Sequence, residues 1–183
     1  MSRISDLVTK DHREIEEYYN NILNAKSEDE KTRWANQFTW ELARHSVGEE
    51  LVIYPFMKRC LENGESLVEK DLQEHQVIKE QLYKFQSMKS TDPDFEPMLR
   101  TMWVDLAKHM EEEEAVDLVE LEQALSAKET ADMAKEFHLT KKFAPTRSHP
   151  SAPNEPPFEN VVGLLAAPID KIRDIFSRFP EVH

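Results

Sequence analysis

The sequence predicts an all-α protein, an up-down-up-down four-helix bundle with a C-terminal extension. Three observations predict it. Glycine is scarce, with only Gly48, Gly64 and Gly163 among 183 residues, which leaves little material for a turn-rich β fold. Charged residues make up 32% of the chain, enough to cover the outer faces of several helices. Four long segments repeat apolar residues at steps of three and four, the period of a helix with one buried face.

The first segment runs from about Ser2 to Ala25, with Ile4, Leu7, Val8, Ile15, Tyr19, Ile22 and Leu23 on one stripe. Ser27 followed by Glu28, Asp29 and Glu30 makes a good start for the second, because a hydroxyl and carboxylates satisfy the free amides of a first turn. Its stripe is Trp34, Phe38, Leu42, Val52 and Phe56; Pro55 lacks a donor and is expected to kink it, and Asn63-Gly64 reads as a stop. The third segment spans about Ser66 to Lys89 and the fourth about Phe95 to Ser126. A shorter helix is expected over Ala127 to Lys142. Five of ten prolines (Pro145, Pro150, Pro153, Pro156 and Pro157) then mark an extended strap, and Val161 to Phe179 is amphipathic, with Ile169, Ile172, Ile175 and Phe176 on its apolar face. The expected division is a bundle over 1–126 and, over 127–183, a helix, a strap and a terminal segment that packs back on the bundle; a partner- or membrane-docking helix is the other reading of the tail.

A net charge of −13 argues against binding nucleic acid or an anionic membrane. Cys60 is alone, so no internal disulfide can form, the stretch MSRISDLVTKDH has no apolar signal region, and no apolar run is long enough to span a bilayer. A soluble cytoplasmic protein is expected.

Each long segment carries one central histidine: His12, His45, His75 and His109, at intervals of 33, 30 and 34 residues. Leu42, Leu72 and Leu106 lie three residues before the last three, with Thr9 in that place before His12. Tyr19, Val52, Leu82 and Val116 lie seven residues after the four. Both offsets return to the same helix face, so the histidines point inward. Glu49 and Glu113 each follow a histidine by four residues, one turn further along the same face. A buried carboxylate in that register needs a cationic partner. The run Glu111 to Glu114 otherwise reads as a solvated face, and only Glu113 matches the register of His109.

Imidazole and carboxylate together suit zinc, iron or manganese. Six ligands on four helices exceed the four of a structural zinc site and suggest two ions. Two octahedral ions offer roughly twelve positions, and four histidines, two bridging glutamates and an oxo or hydroxo bridge leave about two open.

The order His12, His45-Ser46-Val47-Gly48-Glu49, His75, His109-Met110-Glu111-Glu112-Glu113 resembles the hemerythrin-like, or HHE cation-binding, family, and Glu50 to Pro55 adds to the likeness over roughly 1–126. The resemblance implies a non-haem di-iron centre, two iron ions with an oxo or hydroxo bridge, that binds or transforms oxygen, nitric oxide or hydrogen peroxide. Turnover as an oxidoreductase is left open. The alternative is an iron- or oxygen-responsive module without turnover. Oxygen-carrying members have a further histidine one turn after the third-helix histidine, where this chain has Lys79. That departure implies an extra open position. Lys79 either faces solvent or reaches an exogenous anion. Tyr54, five residues past Glu49, is a candidate ligand or hydrogen-bond donor if Pro55 distorts its turn. His138, His149 and His183 lack the register and are expected on the surface.

Overall fold

The computed structural model describes residues 2–151 and 158–181, with the backbone alone over 158–166. The helices are α1 (Ile4–Asn24), α2 (Glu28–Gly48), α3 (Tyr54–Cys60), α4 (Gly64–Phe85), α5 (Phe95–Glu112), α6 (Leu118–Ala124), α7 (Ala127–Phe143) and α8 (Phe158–Phe176); among the described residues there is no strand. Two short π-helical turns, π1 (Glu49–Ile53) and π2 (Glu113–Asp117), join α2 to α3 and α5 to α6. The bundle is therefore four rods: α1, α2–π1–α3, α4 and α5–π2–α6.

Local chemistry sets the ends. Ser27 Oγ accepts the Glu30 amide at 3.1 Å, and the Glu30 carboxylate takes the Lys26 amide at 2.7 Å. Ser126 and Glu129 form a reciprocal cap that separates α7 from α6. Gly64 opens α4 where the sequence pattern suggested a stop. A Cβ there would lie 2.0 Å from the Met57 carbonyl oxygen, so only glycine allows the tight turn after α3.

The π turns correct the predicted stripe. Each adds one residue to a turn, so everything after it is rotated by about one position relative to an unbroken helix. Val116, expected inside, is 44% exposed, and Asp117 is buried in its place. From the end of π1 onward the buried set is Ile53, Tyr54 and Met57, while Phe56 is only half-buried.

Apolar side chains form two clusters. One packs Ile15, Ile22, Phe38, Leu82, Phe85, Phe95, Leu99 and Leu106; the other packs Ile4, Val8, Ile53, Tyr54, Met57, Val68, Leu121 and Phe137. The four histidines and two glutamates are buried in the same rods. α7 belongs to the second cluster through Met133, Ala134 and Phe137. It sits close because position 48 is glycine: a Cβ there would come within 2.7 Å of the Phe137 ring.

After α7 the chain crosses α4. Ser148 exchanges hydrogen bonds with Gln86 and gives its hydroxyl to the Lys79 carbonyl at 2.6 Å. The part of the proline-rich strap over 152–157 lies outside the described residues. Among the described side chains of α8, Asp170 is buried against His149 at 2.9 Å and Asp174 is reached by Arg147 at 3.5 Å. Ala167 is also buried, whereas Ile169, Ile172, Ile175 and Phe176 are all exposed. No helix of the described residues is long and apolar enough to cross a membrane.

Candidate metal centre

The four histidines project from the four rods into one buried layer, and each is at most 3% exposed. They meet in pairs. His12 Nε2 is 3.1 Å from His45 Nε2, and His75 Nε2 is 3.0 Å from His109 Nε2. Glu49 lies between the pairs, with Oε1 2.9 Å from His45 Nε2 and Oε2 3.4 Å from His75 Nε2. Glu113 Oε2 is 3.3 Å from His12 Nε2.

The outward nitrogens explain the inward ones. Each Nδ1 meets a carboxylate: Glu114 for His12 at 2.8 Å, Asp11 for His45 at 3.1 Å, Glu50 for His75 at 2.9 Å and Glu74 for His109 at 2.9 Å. A carboxylate at Nδ1 holds the proton there and leaves the Nε2 lone pair facing the layer, the tautomer that binds metal. Every one of these carboxylates also has a cation. Arg13 meets Glu114, Lys141 meets Asp11, Lys79 reaches Glu50 at 2.6 Å, and Lys108 and Lys70 lie 3.6 and 3.8 Å from Glu74. The centre is thus built from four histidine–carboxylate–cation chains.

These chains expose an internal repeat. Asp11-His12 in α1 corresponds to Glu74-His75 in α4, 63 residues on. His45, Glu49, Glu50 and π1 correspond to His109, Glu113, Glu114 and π2, 64 residues on. Asp11, Glu50, Glu74 and Glu114 escape a reading by stripe, because each is one residue away from a site residue and so off its face. The acid-histidine and Glu-Glu pairs recurring at that offset are the signal that identifies them. Glu114 in particular is no member of a solvated run. Glu112 is: it pairs with the exposed Lys70 and Lys108.

The layer fits a metal. Both oxygens of Glu49 and of Glu113 are buried with no hydrogen-bond partner, as carboxylates that face an ion would be. Ligands about 2.1 Å from one ion and at right angles to each other lie about 3 Å apart, close to the separations found. His12, His45, Glu49 and Glu113 each present an atom within 4.8 Å of the others, and so do Glu49, His75 and His109. Glu49 is common to both groups, as a bridge would be.

Without a metal, protons balance the charge. Burial disfavours a charged ring, but Glu49 and Asp11 outweigh it and raise His45 to about 10. In the same way Glu74, Glu113 and Glu49 raise His109 to about 9. Burial opposes the ionised form of Glu113, yet His12, His109 and His45 hold it down at about 2.

Tyr54 is the seventh group. The π1 turn adds the residue that an α-helix would lack, and the Tyr54 amide donates to the Glu49 carbonyl five residues back. The side chain is thereby carried onto the Glu49 face, and its hydroxyl lies 3.0 Å from His75 Nε2. Burial pushes the phenol well above its usual value, so it enters the layer as O–H. Lys79, expected either in solvent or at an anion, is instead committed to Glu50 with its side chain 13% exposed. Of the histidines expected on the surface, His138 is exposed, His149 is part-buried against Asp170, and His183 lies outside the described residues.

The family described as "Hemerythrin HHE cation binding domain" matches residues 3–138. An uncharacterised hemerythrin-like protein of Schizosaccharomyces pombe (strain 972) is 55% identical over 181 residues, covering 98% of this chain and 89% of its own. A DNA nickase of Nostoc sp. (strain PCC 7120) is 22% identical over 138 residues, covering 75% of this chain and 39% of its own. No solved structure matches.

Proposed function

The chain belongs to the hemerythrin HHE cation-binding domain family, and from that premise we propose that His12, His45, Glu49, His75, His109 and Glu113 hold two iron ions joined by an oxo or hydroxo bridge. The protein on this reading binds or transforms a small oxidant or gas: oxygen, nitric oxide or hydrogen peroxide. The observation that carries it is the convergence of four Nε2 atoms on Glu49 and Glu113, each Nδ1 tied outward. Iron held there would supply redox and Lewis-acid chemistry. The chain's own part is to exclude water with two apolar clusters, to hold the Nδ1 side of each histidine outward so that Nε2 is the atom a metal would meet, and to offer the Tyr54 hydroxyl beside His75 as a hydrogen-bond donor. The acidic surface, with a net charge of −13, disfavours nucleic acid as a partner on the same reading.

Elemental analysis with an absorption spectrum of the purified protein tests it. About two irons per chain and an oxo-bridged ferric band are expected. A single tightly held zinc that iron supplementation does not replace would refute it.

A second reading, an iron- or oxygen-responsive module without turnover, draws on Lys79. Its ammonium holds Glu50, and through it His75, while its carbonyl holds Ser148 of the strap. Metal-dependent protection of residues 144–151 from amide exchange, together with no peroxide turnover, would favour this reading.

A further inference from the structure

Beside the centre, the two halves of the internal repeat differ. The offset that matches His12 with His75 matches Val8 with Asp71, and the offset that matches Glu49 with Glu113 matches Ile53 with Asp117. Val8 and Ile53 are wholly buried hydrocarbons, so that half is sealed by ordinary packing. Asp71 and Asp117 are equally buried, at 1% and 3% exposure, and Asp71 Oδ2 and Asp117 Oδ1 have no hydrogen-bond partner. Burying carboxyl oxygens without donors is costly. The other half shows that the scaffold does not need them, since valine and isoleucine serve at the corresponding places.

We propose that Asp71 and Asp117 form a divalent-cation site through which metal passes into the centre, between α4 and the α5–π2–α6 rod. Glu74 stands outermost, its side chain 23% exposed, and Asp71, Glu74 and His109 present ligand atoms within 4.8 Å of one another. Asp71 lies four residues before His75 on α4, and Asp117 four residues after Glu113 at the end of π2; in rods that run in opposite directions, both buried carboxyl groups fall about one turn from the centre, toward the same end. Carboxylate oxygens suit a hard divalent ion such as ferrous or manganous ion. The cations nearest the rim, Lys70 and Lys108, have side chains 46% and 63% exposed, so their ion pairs with Glu74 and Glu112 are solvated and weak. The proposal rests on the reading of the centre as a metal site.

The test uses the full chain stripped of metal and mixed anaerobically with ferrous ion, following both the rate of uptake and the final iron content. The variant is Asp71→Val with Asp117→Ile, the residues of the other half. Asp71→Asn with Asp117→Asn is the second variant should the first lose helicity. Wild type is expected to take about two irons into the centre plus a weaker extra equivalent seen by equilibrium dialysis. The variants should reach the same two, lose the extra equivalent and fill at least about tenfold more slowly, the scale of losing carboxylates around a metal. Unchanged uptake rate and an unchanged extra equivalent would overturn the proposal and reduce the pair to carboxyl groups sharing a proton. A wild type that takes no iron at all would instead overturn the reading of the centre.

Discussion

Lys79 Nζ lies 2.6 Å from Glu50 Oε2, while Glu50 Oε1 accepts the proton of His75 Nδ1 at 2.9 Å. On the proposed reading, Lys79 therefore acts on His75 from behind, through Glu50, rather than at a coordination position. Lys79→Met removes the counter-charge of Glu50 but no ligand. The variant is expected to stay folded and to bind its second iron about 10–100-fold differently, as other changes behind a ligand do. Lys79→His is expected to keep its iron and to bind azide less readily. Azide binding in the latter equal to wild type would show that a histidine at 79, like Lys79 itself, is turned away from the centre.

The register of the glutamates gives a graded series. Glu49→Ala and Glu113→Ala should each lose at least one metal, because their oxygens have no other partner. Glu114→Ala removes only the acceptor behind His12 and should weaken binding by about 10–100-fold without abolishing it. Glu112→Ala, which touches only exposed lysines, should match wild type. Metal content after dialysis against a chelator checks the order, and equal loss from Glu112→Ala would mean that the face is misplaced.

Metal uptake should release protons. His45 and His109 stay charged up to about 10 and 9 in the metal-free fold, and a bound metal displaces those protons. At pH 7 at least about two protons per chain should appear on loading, those of His45 and His109, with any from a bridging water in addition, and affinity should rise with pH. The sign for stability is the reverse. The unfolded value of histidine is about 6.5, so these raised groups stabilise the metal-free fold fully below it, and their contribution is lost as pH rises through 9 and 10. Calorimetric titration in buffers of different ionisation enthalpy counts the protons. Thermal melts of metal-free protein from pH 6 to 11 follow the stability; a flat profile above pH 9 would contradict the charge assignment.

Gly48 sits between His45 and Glu49 with the Phe137 ring over it. Gly48→Ala would place a Cβ 2.7 Å from that ring, and Phe137 is 1% exposed and cannot turn away. The expected cost is about 1–3 kcal/mol, read as a lower melting temperature. Some loss of metal should accompany it, since Phe137 also packs edge-on against His45 with ring centroids 6.0 Å apart. Undiminished stability would show that α7 shifts freely.

Apolar spacing alone determined that Leu42, His45 and Glu49 share a face, as do Leu106, His109 and Glu113, because a helix repeats every 3.6 residues and needs no knowledge of its neighbours. The all-helical class, the four rods and the family likeness followed from it. That period could not reveal the π turns: an amide that donates five residues back instead of four is chosen by packing, and it exchanges Val116 for Asp117 and brings Tyr54 to His75. Nor could it reveal the carboxylates that orient the histidines. Asp11 and His45 are 34 residues apart and His12 and Glu114 are 102 apart; they meet only because separate rods lie side by side. Periodicity selects the face of a helix, whereas the atom that meets that face is set by the tertiary packing of its neighbours.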